Sequence, residues 1–480
     1  MIDKIIPTPK KTDIKEETVS VPLCVSTDVS EWTDFVDTFC YGIEKIFDVT
    51  PKKAEGGIRL VKDLSLAPKS YVFDSKNGIT LSASDDEGIV YAIATALQSV
   101  TANENFFTCH EAIIEDCPDK DFRCIMIDLS REWHPADKIY KYIDVCFMLK
   151  IKYLHLHFID DERYTLPSKA FPLISSKQHY SFEDIKSFNA YAKTRGVILI
   201  PEFEAPGHAG SLTKPYPEIF ANNIESSADG AVIVTEEGNV IKSDRIVCAG
   251  KQATMDGIKT LLAEICEMFP DSPYIHIGGD EANIKAWPLC KDCVEYMKKN
   301  NIEDEYELYS DFIGRVSQMV LDMGRTPIVW EGFPKKGTWR VPKDTIVIAW
   351  ESHYQLVTDL LEAGFKIINA TWQPLYIVDS LTRRWGPIDI MNWSVYNWQH
   401  WWPHSYARLN PINVQPTDQV LGAQICAWNQ TYEQEINMVM ENTMALSERL
   451  WNVERILDDE QFKVCYKKLC RPLARFIQDK

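Results

Sequence analysis

Two adjacent carboxylates stand at the end of a predicted strand. In the segment YIHIGGDEANIKAW, residues 274–287, an apolar run stops at two glycines, and Asp280 and Glu281 follow directly. Adjacent acids repel each other and lose hydration at a buried edge, which raises the free energy of their charged forms. One interpretation is a helix N-terminus, where the helix dipole favours acids in the first turn. The other is a pair of acid groups that work on a substrate.

Further side chains that could do chemistry follow other apolar runs of the chain. Arg131 alone could be a surface charge, and His208 alone could be a loop histidine with satisfied hydrogen bonds. Four tryptophans are harder to explain as core residues, because each follows one of the last four runs: Trp330, Trp350, Trp372 and Trp428. Indole faces that converge on one opening can stack on the C–H faces of a sugar or enclose an acetamide group.

Carboxylates among aromatic side chains indicate glycoside hydrolysis. The usual mechanism places two carboxyl groups on opposite sides of the anomeric carbon, about 5 Å or more apart. Asp280 and Glu281 are neighbours in the chain and cannot easily flank a sugar in that way. A substrate-assisted mechanism removes this difficulty, because the nucleophile is then the 2-acetamido oxygen of the substrate and both acids act from one side.

The spacing of the apolar runs predicts the elements that position these residues. From about residue 121 onward, eight runs occur in the order RCIMIDLS, KYLHLHFID, GVILIPEFE, YIHIGGDE, TPIVWEG, TIVIAWES, KIINATW and VLGAQICAWN. Most intervals have helical periodicity, and Gly196, Gly324 and Gly364 stand where a glycine that ends a helix belongs. Apolar strands alternating with amphipathic helices are typical of a parallel sheet covered by helices.

Eight such units predict an α/β fold, a (β/α)8 TIM barrel with long insertions. The alternative is a doubly wound open sheet, which is disfavoured because no glycine-rich phosphate loop follows the first run. Residues 1–118 instead read as a small α+β domain with an antiparallel sheet, including a hairpin around Asn77-Gly78. We predict this domain over residues 1–118, the barrel over 119–455 and a helical extension over 456–480. The aromatic-rich interval 377–417 is predicted to be a long, functional loop region.

Composition restricts the classes of partner and the compartment. Fifty-one basic and 70 acidic residues give a net charge of −19, which disfavours nucleic acid and anionic membranes as partners. No apolar run is long enough to span a bilayer. The first 17 residues contain no apolar segment of a signal peptide, so we expect a cytoplasmic location. A signal removed before this sequence begins would leave the same start.

Cysteine usage agrees with that expectation. The 13 cysteines are odd in number and scattered, which is typical of free thiols in a reducing compartment. The CKDC segment at 290–293 has metal-ligand spacing but no second motif, so we interpret it as structural. No metal and no cofactor is predicted. The sequence gives no indication of the oligomeric state.

Several motifs together resemble glycoside hydrolase family 20, the β-N-acetylhexosaminidases. HIGGDE fits the family pattern H-x-G-G-D-E, and IDLSREWHP, LHLHFIDDE and IPEFEAPGH resemble its other barrel motifs in the right order. ALSERLW near the end also matches, and IIPTPK and GIVYAIATALQ resemble the small α+β domain that precedes the barrel in this family. The resemblance implies an exo-acting, retaining enzyme that removes terminal β-linked GlcNAc or GalNAc from an oligosaccharide or glycoconjugate.

The resemblance also implies catalytic roles. Glu281 matches the general acid/base, and Asp280 matches the acid that orients the acetamido group. Tyr376 matches the tyrosine that hydrogen-bonds the acetamide oxygen. Asp160 and His208 match a supporting dyad beside the acid.

Substrate contacts follow from the same comparison. Arg131 matches the arginine that grips hydroxyls of the terminal sugar. The acetyl methyl group is expected to lie in a cage of three tryptophans with a fourth near them: Trp330, Trp350 and Trp428, then Trp372.

The sequence departs from the family pattern at two positions. The family often has Tyr-x-Asp and Trp-x-Glu where this chain has Val378 and Gln430, and those two acids hold hydroxyls at the far end of the terminal sugar. We therefore expect Gln430 to bind substrate as a neutral amide, and a 6-substituted sugar such as 6-sulfated GlcNAc to be tolerated or preferred. Nearby loop residues are alternatives that would rebuild an ordinary hydroxyl site: Asp379, Arg383 and Arg384.

Two other functions stay open at this point. A lacto-N-biosidase-like enzyme of the same family would release a disaccharide and would need an open second subsite. A non-catalytic sugar-binding barrel is the other, and Glu281 argues against it because a lectin has no need of a desolvated acid.

Overall fold

The larger part of the chain forms a closed barrel of eight parallel strands. The structure, a computed structural model, describes residues 5–224, 232–234, 240–378 and 385–478. Each barrel strand pairs with the next in chain order, and the eighth pairs with the first, which closes the sheet. The strands are Phe122–Asp128, Tyr153–His157, Ile198–Glu202, Tyr274–His276, Thr326–Trp330, Ile346–Ala349, Lys366–Asn369 and Val420–Trp428. The predicted (β/α)8 barrel is thus confirmed.

The barrel strands are buried on both faces. Every residue of Phe122–Asp128 and of Tyr153–His157 is buried. One face packs into the barrel interior and the other against helices, so continuous apolar runs replace the alternation of a half-exposed strand. The glycines predicted to end helices before the next strand all adopt positive φ: Gly196, Gly324 and Gly364.

Helices cover the outside of the barrel. Between the fifth and sixth strands, which the structure describes throughout, a 3₁₀ turn at Thr338–Arg340 takes the place of an α-helix. The other 3₁₀ turns are Ser30–Trp32, Ser243–Arg245, Ile284–Leu289 and Tyr406–Arg408. The α-helices that follow the first barrel strand are Ala136–Met148, Phe182–Lys193, Gly210–Thr213, Pro217–Phe220, Gln252–Met268, Lys291–Lys299, Glu305–Asp322, Val357–Glu362, Trp372–Leu375, Pro387–Met391, Tyr432–Trp451 and Asp459–Ile477.

A small α+β domain precedes the barrel. Its sheet contains the strands Lys11–Pro22, Cys24–Thr27, Lys52–Lys53, Ile58–Lys62, Tyr71–Asp74, Ile79–Ala83, Thr101–Ala102 and Phe106–Asp116. The predicted hairpin joins Tyr71–Asp74 to Ile79–Ala83, and the antiparallel part of the sheet continues from it through Phe106–Asp116 to Lys11–Pro22. The sheet also has a parallel half, because the helix Thr33–Phe47 provides a crossover connection. The second helix is Asp86–Ser99.

The helix Asp459–Ile477 follows the barrel and packs against both parts of the chain. Lys141 Nζ, on the first barrel helix, donates to the Ile477 carbonyl at 2.9 Å. Phe476 contacts Tyr41 of the preceding domain edge to face, with ring centres 6.1 Å apart. This helix therefore joins the small domain to the barrel.

The long interval 377–417 has little regular structure where it is described. It contains the short helix Pro387–Met391 and a ribbon of Asn397–Trp398 paired with Ile412–Asn413. A second ribbon pairs Val232–Val234 with Val240–Lys242. In the described part of the chain, no helix combines the length and apolarity needed to cross a membrane.

Candidate active site

The carboxyl ends of the barrel strands surround a cavity of about 180 Å³. Its lining residues are Arg131, Asp280, Glu281, Trp330, Trp350, Trp372, Tyr376, Val378, Trp428 and Asn429. Eight of the eleven residues predicted for the site are among them. Strands that end at one face of a barrel bring together residues from distant parts of the chain.

Two glycines turn the chain after the fourth barrel strand. Gly278 and Gly279 have φ of +71° and +100°, in the left-handed region that favours glycine. A Cβ on Gly278 would lie 1.9 Å from Glu204 Oε1, so a side chain there would displace that carboxyl group. Glu204 accepts a hydrogen bond from the Gly279 N–H at 3.1 Å. This close packing places Asp280 and Glu281 at the edge of the cavity.

The two adjacent acids have different surroundings. The Asp280 side chain is 12% exposed and the Glu281 side chain is 51% exposed. Burial is the main cause that raises the pKa of Asp280 to about 7. A hydrogen bond from His208 lowers the pKa of Glu281 below its ordinary value. In the free protein, Asp280 therefore holds a proton more readily than Glu281 does.

Hydrogen-bonded side chains form a charged wall that ends at Glu281. His208 Nε2 lies 3.3 Å from Glu281 Oε2, and His208 Nδ1 lies 3.2 Å from Asp160 Oδ1. The other Asp160 oxygen contacts Arg131 Nη2 at 2.5 Å. Asp160 and His208 do not line the cavity themselves. They are connected to it because His208 contacts Glu281, which does. We call these four residues, together with Asp280, the charged wall.

Opposite charges hold the inner members of the charged wall in their ionised forms. Burial alone would raise the pKa of Asp160, but two neighbouring histidines and Arg131 hold it well below its usual range. Burial would likewise lower the pKa of His208, but Asp160 and Glu281 raise it well above its usual value. His208 is therefore a cation that donates from both ring nitrogens, one to Asp160 and one to Glu281.

A buried network connects the charged wall to the tryptophans. His157 Nε2 lies 3.1 Å from Asp160 Oδ2, and His157 Nδ1 lies 2.5 Å from Glu202 Oε2. Trp330 Nε1 donates to the other Glu202 oxygen at 2.7 Å. Although burial opposes its charge, Glu202 and Asp160 raise the pKa of His157 to about 10. The same network therefore fixes the orientation of the Trp330 ring and keeps Asp160 ionised.

Aromatic rings form most of the remaining lining of the cavity. The Trp330 ring centre lies 6.2 Å from Trp350, edge to face, and 5.9 Å from Trp428. Trp372 stacks on Tyr376 with ring centres 4.1 Å apart, and Trp350 lies nearly parallel to Tyr376 at 6.2 Å. We call these five residues the aromatic wall. Rings on several sides leave a recess that suits a methyl group or the C–H face of a sugar.

Glu331, which sequence reasoning missed, holds the loop that carries Trp350. Its carboxylate accepts hydrogen bonds from several consecutive backbone N–H groups, including those of Ser352 and His353, each at 2.9 Å. Trp350 Nε1 donates to the Glu331 carbonyl at 2.7 Å. Burial raises the pKa of Glu331 to about 6. The available signal was an acid directly after Trp330, at the end of a buried strand.

A short additional strand, Tyr376–Val378, positions two lining residues. It pairs in parallel with the end of the eighth barrel strand, so Tyr376 lies opposite Cys426 and Val378 lies opposite Trp428. Both residues therefore enter the cavity beside the last tryptophan. The loop residues considered as substitutes for the missing acids lie outside the described residues: Asp379, Arg383 and Arg384.

Gln430 is not among the lining residues, although we expected it to bind substrate. Its side chain is fully buried, and its Nε2 donates to the Ile377 carbonyl at 3.2 Å. The preceding Asn429 has φ of +61° and lines the cavity itself. This left-handed turn sends the two side chains in different directions, so the Gln430 amide supports the additional strand.

The charged wall also has the residue types of a metal site. Donor atoms of His208, Asp280 and Glu281 lie within 4.8 Å of one another. The same side chains lie within hydrogen-bond distance of one another, with His208 between Asp160 and Glu281, and this arrangement suits proton transfer.

The sequence matches two models of one family. The model described as glycosyl hydrolase family 20, catalytic domain, matches residues 121–454, and the model of domain 2 matches residues 3–117. The β-hexosaminidase subunit beta of Entamoeba histolytica is 27% identical over 420 residues, which cover 82% of this chain and 71% of the relative. The β-hexosaminidase subunit beta of Homo sapiens is 26% identical over 390 residues, which cover 77% of this chain and 64% of the relative. The chain thus spans less than two thirds of the human protein.

Solved structures share the fold of both parts of the chain. A family 20 exo-β-N-acetylglucosaminidase from Vibrio harveyi matches with a TM-score of 0.83 and 19% identity, over 99% of this chain and 78% of that chain. A β-N-acetylhexosaminidase from Bacteroides fragilis matches with a TM-score of 0.78 and 24% identity, over 97% and 94% of the two chains. The catalytic-domain model covers more than half of the sequence. The chain therefore belongs to glycosyl hydrolase family 20.

Proposed function

We propose that this glycoside hydrolase is an exo-acting, retaining β-N-acetylhexosaminidase that uses the 2-acetamido group of its substrate as the nucleophile. The relatives named above are described as β-hexosaminidases. The observation that carries the mechanism is the position of the acids. Among the described residues that line the cavity, Asp280 and Glu281 are the only carboxylates, and both lie within 4.0 Å of His208 Nε2. Because these two acids are neighbours in the chain and the described lining holds no further carboxylate, the nucleophile comes with the substrate.

Glu281 is the general acid of the first step. Its proton passes to the glycosidic oxygen while the bond from that oxygen to C1 breaks. The acetamide oxygen forms a new bond to C1, which gives a cyclic oxazolinium ion. Asp280 accepts a hydrogen bond from the acetamide N–H and stabilises the positive charge of this ion. The Tyr376 hydroxyl donates to the acetamide oxygen and orients it for attack.

Water completes the reaction in the second step. Glu281, now a carboxylate, takes a proton from the water as the water oxygen bonds to C1. The bond from C1 to the acetamide oxygen breaks, and the N-acetyl group is restored. Two inversions at C1 give net retention, so the sugar leaves as its β-anomer.

The productive enzyme carries one proton on Glu281 and none on Asp280. The free protein favours the reverse order, because burial holds the pKa of Asp280 near 7 while His208 lowers that of Glu281. Adjacent acids titrate as a pair, so both singly protonated forms are accessible. A bound leaving group covers the half-exposed Glu281, and loss of water raises the pKa of a carboxyl group. Substrate binding therefore favours the productive form.

We also propose that the cavity accepts an anionic substituent on O6 of the sugar. Val378 lines the cavity where the family pattern often has an aspartate, so this position presents no carboxylate to the substituent. Removing a like charge eases binding by at most a few kcal/mol at an effective dielectric constant of about 20. Gln430 does not contribute a donor to this proposal, because its side chain is fully buried and is not among the lining residues.

Hydrolysis of aryl β-GlcNAc and aryl β-GalNAc glycosides, together with short oligosaccharides, tests the proposed activity. We expect a single terminal N-acetylhexosamine as the first product, and proton NMR should detect it first as the β-anomer. A thiazoline mimic of the cyclised acetamide should inhibit tightly, because stable mimics of a high-energy species bind better than substrate. An aryl β-glucoside, which lacks the acetamido group, is the matched control and should turn over at background rate.

Three results would contradict this proposal. A disaccharide as the first product would favour the lacto-N-biosidase-like alternative. Binding of these sugars with no turnover of any of them would favour a sugar-binding barrel. A covalent sugar trapped on a protein carboxylate would exclude substrate assistance.

A further inference from the structure

Three buried cysteines meet in one cluster: Cys248 lies in a loop, Cys290 is the N-cap residue of the helix Lys291–Lys299, and Cys293 lies in the first turn of that helix. Cys248 Sγ lies 3.6 Å from Cys290 Sγ and 3.6 Å from Cys293 Sγ, and the three sulfurs lie within 4.8 Å of one another. All three side chains are fully buried. A disulfide has an S–S length of about 2.05 Å, so these are free thiols or thiolates. The CKDC pair, which we interpreted as structural, thus acquires a third partner that lies 42 residues before Cys290.

The sulfur positions fit a tetrahedral metal ion. Zinc–thiolate bonds are about 2.3 Å long, so two sulfurs at the tetrahedral angle are about 3.8 Å apart. The observed separations of 3.6 Å are close to this value. Thiolates select Zn²⁺ and similar ions, whereas Mg²⁺ and Ca²⁺ prefer oxygen ligands. We propose that Cys248, Cys290 and Cys293 bind one zinc ion and that each thiol releases its proton to solvent on binding.

Backbone donors are placed to stabilise a thiolate at Cys290. The Asn223 N–H donates to Cys290 Sγ at 3.2 Å. Cys290 is also the N-cap residue of the helix Lys291–Lys299, whose positive end favours a thiolate. Three thiolates around Zn²⁺ leave a net charge of 2 − 3 = −1, which these donors compensate. Cysteines that only filled apolar space would not need such donors.

Close contact between the loop of Cys248 and the start of the helix Lys291–Lys299 keeps the cluster together. A Cβ on Gly250 would lie 2.3 Å from the Asp292 carbonyl oxygen and 2.6 Å from the Cys293 nitrogen. A larger residue at this position would therefore push the loop of Cys248 away from the helix start that carries Cys290 and Cys293.

An oxygen atom at the edge of the cluster can complete the coordination. Asn222 Oδ1 lies 3.9 Å from Cys293 Sγ. Asn222 Nδ2 donates to the Ile246 carbonyl at 2.8 Å, which fixes the orientation of the amide. This oxygen or a water molecule would be the fourth ligand of a tetrahedral ion.

The cluster supports the loops of the charged wall. The Val247 N–H donates to the Pro206 carbonyl at 2.9 Å, two residues before His208. Trp287 Nε1 donates to the Val247 carbonyl at 3.0 Å, and Trp287 lies between Glu281 and Cys290 in the chain. A zinc ion at the cysteines would therefore fasten the segments that carry the proton-transfer residues.

Metal analysis of the full chain tests this proposal. Protein passed over a weak chelating resin should retain one zinc ion per chain. After exchange for Co²⁺, it should show the intense thiolate-to-metal absorption and the visible bands of a tetrahedral site. Cys248→Ser and Cys290→Ser should lower the zinc content at least tenfold and abolish the thiolate absorption. Cys266→Ser is the matched control and should retain both signals, because Cys266 lies on the nearby helix Gln252–Met268 but outside the cluster.

Thermal unfolding gives a readout that does not depend on activity. A strong chelator should lower the unfolding midpoint of the unmodified chain but leave that of Cys290→Ser unchanged. The proposal is overturned if the unmodified chain holds no zinc and gives no thiolate absorption after reconstitution with Co²⁺. A disulfide between any two of the three cysteines, found by mass spectrometry after alkylation, would overturn it equally. Both decisive measurements use the unmodified chain, so a variant that fails to fold does not remove the test.

Discussion

The charged wall and the aromatic wall of the cavity are stabilised in different ways. In the charged wall, buried ions depend on their neighbours, so removing one partner leaves an uncompensated charge that costs about 3–5 kcal/mol. In the aromatic wall, ring pairs contribute about 0.5–1.5 kcal/mol each and carry no charge. The first wall therefore controls where the proton resides, and the second controls what shape is accepted. Changes in the two walls should alter different kinetic constants.

The largest effect is expected for Glu281→Gln. The amide cannot donate a proton to the leaving oxygen, so kcat should fall by about 10²–10⁴ for an alkyl or sugar leaving group. The loss should be smaller for an activated aryl leaving group, which needs less protonation. Measurement of kcat on both substrates checks this. Glu183→Gln, at a residue 78% exposed, is the matched control, and equal losses on both substrates would contradict the role of Glu281.

Asp280→Asn should cost less, and in a different pattern. The variant keeps the acid but loses the carboxylate that stabilises the cyclised acetamide, and comparable electrostatic groups contribute about 10²–10³ in kcat. Because protonation of the leaving group is unaffected, the loss should be similar for activated and poor leaving groups. Affinity for the thiazoline mimic should fall as well. A loss confined to poor leaving groups would mean that Asp280 is the acid.

Glu331→Gln tests the aromatic wall through the loop that carries Trp350. The amide replaces one accepting oxygen by an NH₂ group, so hydrogen bonds to a charged acceptor, worth about 1.5–3 kcal/mol each, are lost. We expect the unfolding midpoint to fall and KM to rise about tenfold, equivalent to about 1.4 kcal/mol. Activity in this variant should keep the pH dependence of the unmodified enzyme. A pH profile that moves while KM stays constant would place Glu331 in proton transfer instead.

His208→Asn should change the pH dependence more than the rate. Cationic His208 lowers the pKa of Glu281, so its removal should raise that pKa. Glu281 must be protonated to act as the acid, so the alkaline limb of kcat/KM should move to higher pH. Asparagine tolerates the φ of +49° at this position. A limb that stays in place or moves to lower pH would contradict the assignment, and Glu281→Gln should lose this limb altogether.

The smallest effect is expected for Val378→Asp. A carboxylate at this lining position should disfavour 6-sulfated β-GlcNAc relative to the unsubstituted substrate by up to about tenfold, or about 1.4 kcal/mol. Val378→Asn is the matched control, because asparagine has nearly the same shape as aspartate but carries no charge. It should leave the ratio of the two kcat/KM values nearly unchanged. In the unmodified enzyme, rejection of the sulfated substrate by more than about tenfold would end the proposal of O6 tolerance.

The barrel could be predicted from the sequence because its signals are local. Each buried strand is one apolar run, and Gly324 or Gly364 ends the helix before the next run. In a parallel barrel the strand ends share one face, so residues as distant as Arg131 and Trp428 could be placed in one site from the sequence alone. The order of the motifs was sufficient for this step.

Contacts that depend on a single backbone turn could not be predicted. The direction of the Gln430 side chain depends on the left-handed φ of Asn429, which no pattern in the sequence predicts. The support of the Trp350 loop by Glu331 depends on a carboxylate that reaches consecutive N–H groups of a neighbouring strand end. Cys248 has no sequence signal that links it to Cys290, because the two residues are 42 positions apart, on either side of the fourth barrel strand, and only the tertiary fold brings them together.

The terminal helix Asp459–Ile477 affects how the molecule can be divided. The match to the catalytic-domain model ends at residue 454, which suggests a natural place to cut. A cut there would remove Phe462, Leu469 and Phe476, which are buried against the rest of the chain. Apolar surface would then be exposed on both the barrel and the small domain, and patches of this kind promote aggregation. Because this helix packs against both domains, a truncation at residue 454 should reduce solubility. An appended tag should therefore follow residue 477, where the helix ends.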